Sequence, residues 1–134
     1  MADAVTTQII QDGPRNAVIK FTNISDGTGE SAVDKVVVSS LSNLANGQPC
    51  SEVSLQRVQY YMNGMDVTLN FSVSSGTAGF IAKLNENDLG DMDFRDYSGI
   101  PNNAGVNKTG NISFTTTGHS NGDTYTIILT LLKA

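Results

Sequence analysis

Apolar and polar residues alternate one for one along most of this 134-residue chain, and that period belongs to strands with one face in water. Val67, Leu69, Phe71 and Val73 alternate with Asp66, Thr68, Asn70 and Ser72. Tyr125, Ile127, Leu129 and Leu131 do the same against Thr124, Thr126, Ile128 and Thr130, and Ala17, Ile19 and Phe21 against Val18, Lys20 and Thr22. Further strands are expected over 4–11, 32–39, 52–62, 79–84 and 109–116, which makes about eight. No segment holds the i, i+3, i+4, i+7 stripe of an amphipathic helix. The nearest, residues 39–45, predicts one short helical turn capped by Ser39 or Ser40.

Turn chemistry separates these runs. Asp12-Gly13-Pro14, Asp26-Gly27-Thr28-Gly29, Asn46-Gly47, Asn63-Gly64, Ser75-Gly76 and Asn121-Gly122-Asp123 all supply residues that tolerate positive φ. Asn63-Gly64 predicts a hairpin between the strand ending at Tyr60-Tyr61-Met62 and the one at 66–73. Residues 85–108 are polar and acidic and hold Pro101; they predict a long loop with at most a short strand around Met92–Phe94. Short antiparallel strands without covering helices close as a sandwich or a barrel. The expected fold is a single-domain antiparallel β-sandwich over 1–134, with a jelly roll as one way of winding it. The Cys…Trp…Cys spacing of immunoglobulin domains is absent.

Composition excludes several classes of function. Gly, Ser, Thr and Asn number 13 each, only 16% of residues are charged, and the net charge is −5. An acidic chain repels a phosphate backbone, so no nucleic-acid partner is expected, and no apolar run is long enough for a membrane helix. The opening MADAVTTQIIQDG lacks the basic and apolar regions of a secretory leader, which leads us to expect synthesis in a cytoplasm. Cys50, the only cysteine, has no partner for an intramolecular disulfide and no activating base beside it. It reads as a small half-buried side chain at the start of a strand.

Candidate chemistry is sparse. Asp88, Asp91, Asp93 and Asp96, each two or three residues from the next in the acidic segment, are the only candidates for holding calcium, which seeks six to eight oxygens. Their spacing departs from the helix–loop–helix pattern, and a solvated acidic loop paired locally with Arg95 is the stronger reading. Asp26-Gly27-Thr28-Gly29-Glu30 lacks the Lys-Ser/Thr ending of a phosphate loop. Ser120 and Asp123 sit too close to His119 in sequence for triad geometry, so His119 reads as an exposed turn residue. No enzyme activity, cofactor or metal is expected. Tyr60 and Tyr61 are neighbours on a strand and point to opposite faces, so one of them faces out and suits an interface.

Two segments, DGPRNAVIKFTNISDGTGE (12–30) and TTTGHSNGDTYTIILTLLKA (115–134), resemble small virion structural proteins of marine tailed bacteriophages, in particular head decoration or cement proteins. The resemblance implies a non-enzymatic β-sandwich or jelly-roll subunit, located in the virion and present in many copies. Its partners would be the major capsid protein or other virion subunits, with a homo-oligomer, a trimer included, and no membrane. A neck or tail adaptor, or a fibre-associated piece, is the alternative within the virion; a carbohydrate- or cell-surface-binding module is the alternative outside it. Intersubunit contacts are expected from segments 1–11 and 124–134 and from the loop 85–108. Met1, Val5, Ile9, Tyr60, Tyr61, Tyr97, Leu131 and Leu132 are the candidate contact residues. The adjacent pair Leu131–Leu132 would present apolar side chains on both faces of its strand.

Overall fold

The structure, a computed structural model, describes residues 4–97 and 99–133. Nine strands make up nearly all of its regular structure: β1 (Ala4–Asp12), β2 (Asn16–Ile24), β3 (Val33–Val36), β4 (Val53–Asn63), β5 (Asp66–Val73), β6 (Gly79–Leu84), β7 (Leu89–Asp93), β8 (Lys108–Thr117) and β9 (Thr124–Lys133). The ninth is β7. It forms inside the segment expected to be mostly loop, because Arg57–Tyr61 of β4 offers it a pairing edge. The helical turn near 39–45 is a 3-10 turn at Val38–Ser40. Neither Ser39 nor Ser40 caps it: the N-cap is Val37, with no side-chain cap bond.

The strands form two antiparallel sheets, ordered β1-β2-β9-β4-β7 and β3-β8-β5-β6. The pairing is nested: β2 with β9, β3 with β8, β4 with β7 and β5 with β6. A long hairpin rolled on itself gives this connectivity, that of a jelly roll. The nesting also corrects the reading of Asn63-Gly64. That turn has the expected positive φ at Gly64, +88°, yet β4 and β5 lie in different sheets. The turn is an arch over one end of the sandwich, with Met62 and Met65 both buried on either side of it. A Cβ on Gly64 would sit 2.3 Å from Oδ1 of Asp123 in the β8–β9 arch, so the two arches interlock where only glycine fits.

Inward-facing residues of both sheets fill the core. Ile19, Phe21, Val67, Leu69, Phe71, Ile112, Phe114, Ile127 and Leu129 are buried, as the alternation requires. Phe80, which alternation within 79–84 would set inward with Ala82 and Leu84, is instead 61% exposed. The β5–β6 register breaks between Leu69 and Asn70, pairing Leu69 with Ala82 but Asn70 with Phe80. The extra residue, Ile81, reverses parity, so Phe80 turns outward and Gly79 inward. Phe114 of the smaller sheet ties the layers together at one end, with its ring 5.2 Å from that of Phe21 and 5.9 Å from that of Tyr125, both edge-on.

A buried polar knot closes that same end. Glu30, in the β2–β3 connection, accepts hydrogen bonds from Tyr125 Oη (2.7 Å) and Asn23 Nδ2 (3.0 Å) and pairs with Lys35. Its backbone exchanges bonds with Thr116 of β8. The opposite end is closed by Lys133, whose side chain is fully buried. Its ammonium shares its three N–H groups among four acceptors, Asp12 Oδ1 (2.5 Å), Gly13 O (2.6 Å), Ser42 O (2.9 Å) and Ser42 Oγ (2.9 Å). A buried ammonium is tolerated only when its donors are all engaged.

Two predictions test this packing. Phe114→Ala should cost about 3–5 kcal/mol in chemical denaturation, the range for a buried aromatic, whereas Phe80→Ala should change stability by less than about 0.5 kcal/mol. Asp12 supplies a pH test. Burial raises its carboxyl, but the bonds from Lys133 and Ser42 outweigh burial and hold it below its ordinary value. A carboxyl lowered on folding contributes stability above its unfolded value of 3.8 and loses it as pH falls through the folded value. Asp12→Asn should therefore cost about 1–3 kcal/mol near neutrality, and denaturation curves of variant and parent should converge at acid pH below that window.

Candidate functional site

β1 is exposed along eight of its nine residues, Asp12 alone being half-buried. It ends the larger sheet and pairs only with β2, so its outer edge carries no strand among the described residues. The register places Val5 beside Asn23, Thr7 beside Phe21 and Ile9 beside Ile19, on the face that continues the core. The smaller sheet does not extend over that face. Val5 is 50% and Ile9 51% exposed, and Ile10 projects at a register break between Ile9 and Gln11. Natural sandwiches rarely leave a long strand uncovered on both faces and along one edge. At Asp12, in contrast, the strand is fixed to the body through Lys133 and through Ser42, whose amide donates to Asp12 Oδ2 at 2.9 Å.

A second surface lies on the outer face of the larger sheet. Tyr61, 57% exposed, pairs across with Leu89 of β7 and Thr126 of β9. With Gln59, Gly90 and Ile128 they line a shallow, largely apolar groove. Beneath it the Tyr60 ring packs closely on Gly90, where a Cβ would stand 2.7 Å from Tyr60 Oη. Tyr60 itself turns to the core side and is half-buried, and its hydroxyl donates to Asp88 Oδ2 at 3.4 Å. Burial and the Asp88 charge both push its phenol up. Of the two tyrosines, Tyr61 is therefore the one that faces out.

The acidic residues do not converge. Asp91 accepts two bonds from the Arg57 side chain, at 2.9 and 2.5 Å, and Asp93 two from the Arg95 side chain, at the same distances. The Arg95 side chain and amide hold Asp93 at a pKa of about 2. Asp88 lies at the other end of β7, beside Tyr60. Among the described residues no group of three or more His, Cys, Asp or Glu side chains could hold a metal ion. These are exposed ion pairs of the kind that salt screens.

The remaining candidates divide between surface and core. Tyr97 is exposed and tilts against Phe94, with the ring centres 6.2 Å apart. Met1 lies outside the described residues. Leu131 is not a contact residue: β9 is a central strand, and Leu131 is wholly buried between its neighbours. Leu132 turns to the other face, where it is half-buried in a hollow with Pro14, Arg15 and Leu44. Cys50 is buried rather than half-buried, and its thiol donates to Glu52 O at 3.3 Å. His119 is half-buried, not exposed. Its ring lies on Gly29, where a Cβ would come within 2.4 Å of Cε1.

The site that sequence reasoning missed is the polar knot of Glu30, Lys35, Asn23 and Tyr125. Its only trace in the sequence is Asn23, a polar residue on the inward parity of β2.

Adding a calcium chelator, or calcium itself, should leave the thermal melt unmoved, because Asp91 and Asp93 are already occupied by arginines. A melt that shifts with calcium would reassign Asp88, Asp91, Asp93 and Asp96 to an ion.

No protein-family model matches the chain, and no curated protein matches it.

Proposed function

We propose that this protein is a non-enzymatic structural subunit that works by joining an assembly, as a virion head decoration protein does when it bridges capsid subunits. One observation carries the reading: β1 is a long edge strand whose apolar side chains, Val5, Ile9 and Ile10, stay half exposed outside the core of its own molecule. Such a strand adds no fully buried side chain to the core of its own sandwich, while it offers an assembly a docking edge. In a shell of many copies, each bridge that binds the assembled state shifts the equilibrium toward it by mass action. The resemblance of residues 12–30 and 115–134 to virion structural proteins, head decoration proteins in particular, supports this reading.

Two other readings share the molecule. A neck or tail adaptor would use the same strand at lower copy number. A carbohydrate-binding module would use the Tyr61 groove, where an exposed ring and a polar rim are found together. Truncation separates them. Removing residues 1–8 should leave a folded protein, because the Asp12–Lys133 anchor lies beyond the cut, and this protein should no longer bind particles. Densitometry of purified particles should find the full-length chain at shell stoichiometry. Ring stoichiometry would move it to the neck or tail, and failure of the truncated chain to fold would overturn the role of β1. Glycan binding abolished by Tyr61→Ala would favour the third reading.

A further inference from the structure

Each sheet has two edges, and three of the four are blunted. β3 has only four residues, among them Asp34 and Lys35, with a register break before Val36. β6 carries a bulge and Lys83. β7 is five residues long and bears Asp91 and Asp93. Short length, charge and bulges are the devices that keep strand edges from pairing with other chains. β1 has none of them over Ala4–Ile9: no charge and no proline, with its register break held off to the far end.

We infer that β1 pairs with β1 of a second copy of this chain, antiparallel, about a two-fold axis at Thr7. This deepens the assembly reading above and rests on it. The occupant follows from the strand's self-complementarity. An isologous interface sets each residue against its mirror position in the other copy. An axis at Thr7 sets Val5 against Ile9 of the second copy, Thr6 against Gln8 and Thr7 against Thr7. The two exposed aliphatic residues on the core-side face then meet each other, and the polar residues meet polar residues. Moving the axis one residue, to Gln8, sets Val5 against Gln11 and Ile9 against Thr7, which loses both apolar pairs. No charge of either sign is opposed within Ala4–Ile10, so nothing repels the match. Apolar and threonine cross-strand pairs are the units that stabilise such a ladder. The joined larger sheets would run continuously through both copies.

The register makes the test specific. The purified full-length chain should sediment as a dimer that dissociates on dilution. Thr7→Lys and Thr7→Glu each set like charges against each other at the axis, and each should weaken self-association by about 10-fold or more. Mixing the two variants should restore a dimer containing one of each. Both faces of β1 are exposed, so each variant should melt with the parent. If either does not fold, hydrogen exchange on the parent decides instead: the β1 amides should gain protection as concentration rises. A parent that is monomeric at every concentration, β1 exchange independent of concentration, or folded charged variants that still dimerise each as well as the parent would overturn the inference. So would a mixture that forms no heterodimer. A monomeric chain that nonetheless occupies purified particles would defeat the self-pairing alone. A dimer absent from particles would defeat the virion role and leave the pairing standing.

Discussion

β9 sits at the centre of the larger sheet, paired to β2 on one side and β4 on the other. The rest of the structure depends on this insertion. Its inward residues Tyr125, Ile127, Leu129 and Leu131 are all buried against the smaller sheet, and without β9 neither β2 nor β4 has a neighbour connecting it to the other. The pairing joins segments far apart in sequence, so much loop-closure entropy is lost before the contacts return it. Folds of this kind form slowly for that reason. Lys133, the last residue of β9, then seals the end of the sandwich by drawing Asp12, Gly13 and Ser42 onto one ammonium.

Much of this fold was legible in the sequence because period-two alternation is a local property. The segments around Phe71, Ile127 and Ile19 announce both their strands and their inward faces. What alternation does not encode is which strand lies next to which. Asn63-Gly64 has the chemistry of a hairpin turn, and the same backbone shape serves an arch between sheets. Only the pairing of β4 with β9 and of β5 with β8 distinguishes the two. Phe80 escaped because a single bulged residue reverses parity, and Ile81 carries no mark of being that residue.

The candidate site was legible in part, for a related reason. Val5 and Ile9 fall within a terminal segment singled out for contacts, yet an alternating apolar strand reads the same whether it is central or uncovered. Leu131 and Leu132 show the converse. Two adjacent leucines suggest a strand apolar on both faces, and a central strand places one in the core and the other in a surface hollow. Glu30 was invisible because its partners come from four separate strands, β2, β3, β8 and β9, brought together only by the roll of the sheets. In the acidic segment, the partner of Asp91 proved to be an arginine on β4, a neighbour that no spacing within 85–108 could reveal.

The number of open edges sets what kind of object strand addition can build. A molecule with two such edges has no last member: every addition presents a fresh template, and growth runs on into a fibre. Three blunted edges leave this sandwich with a valence of one, so edge pairing ends at the first event. A sandwich with one long bare strand thereby escapes the polymer that its own backbone would otherwise template.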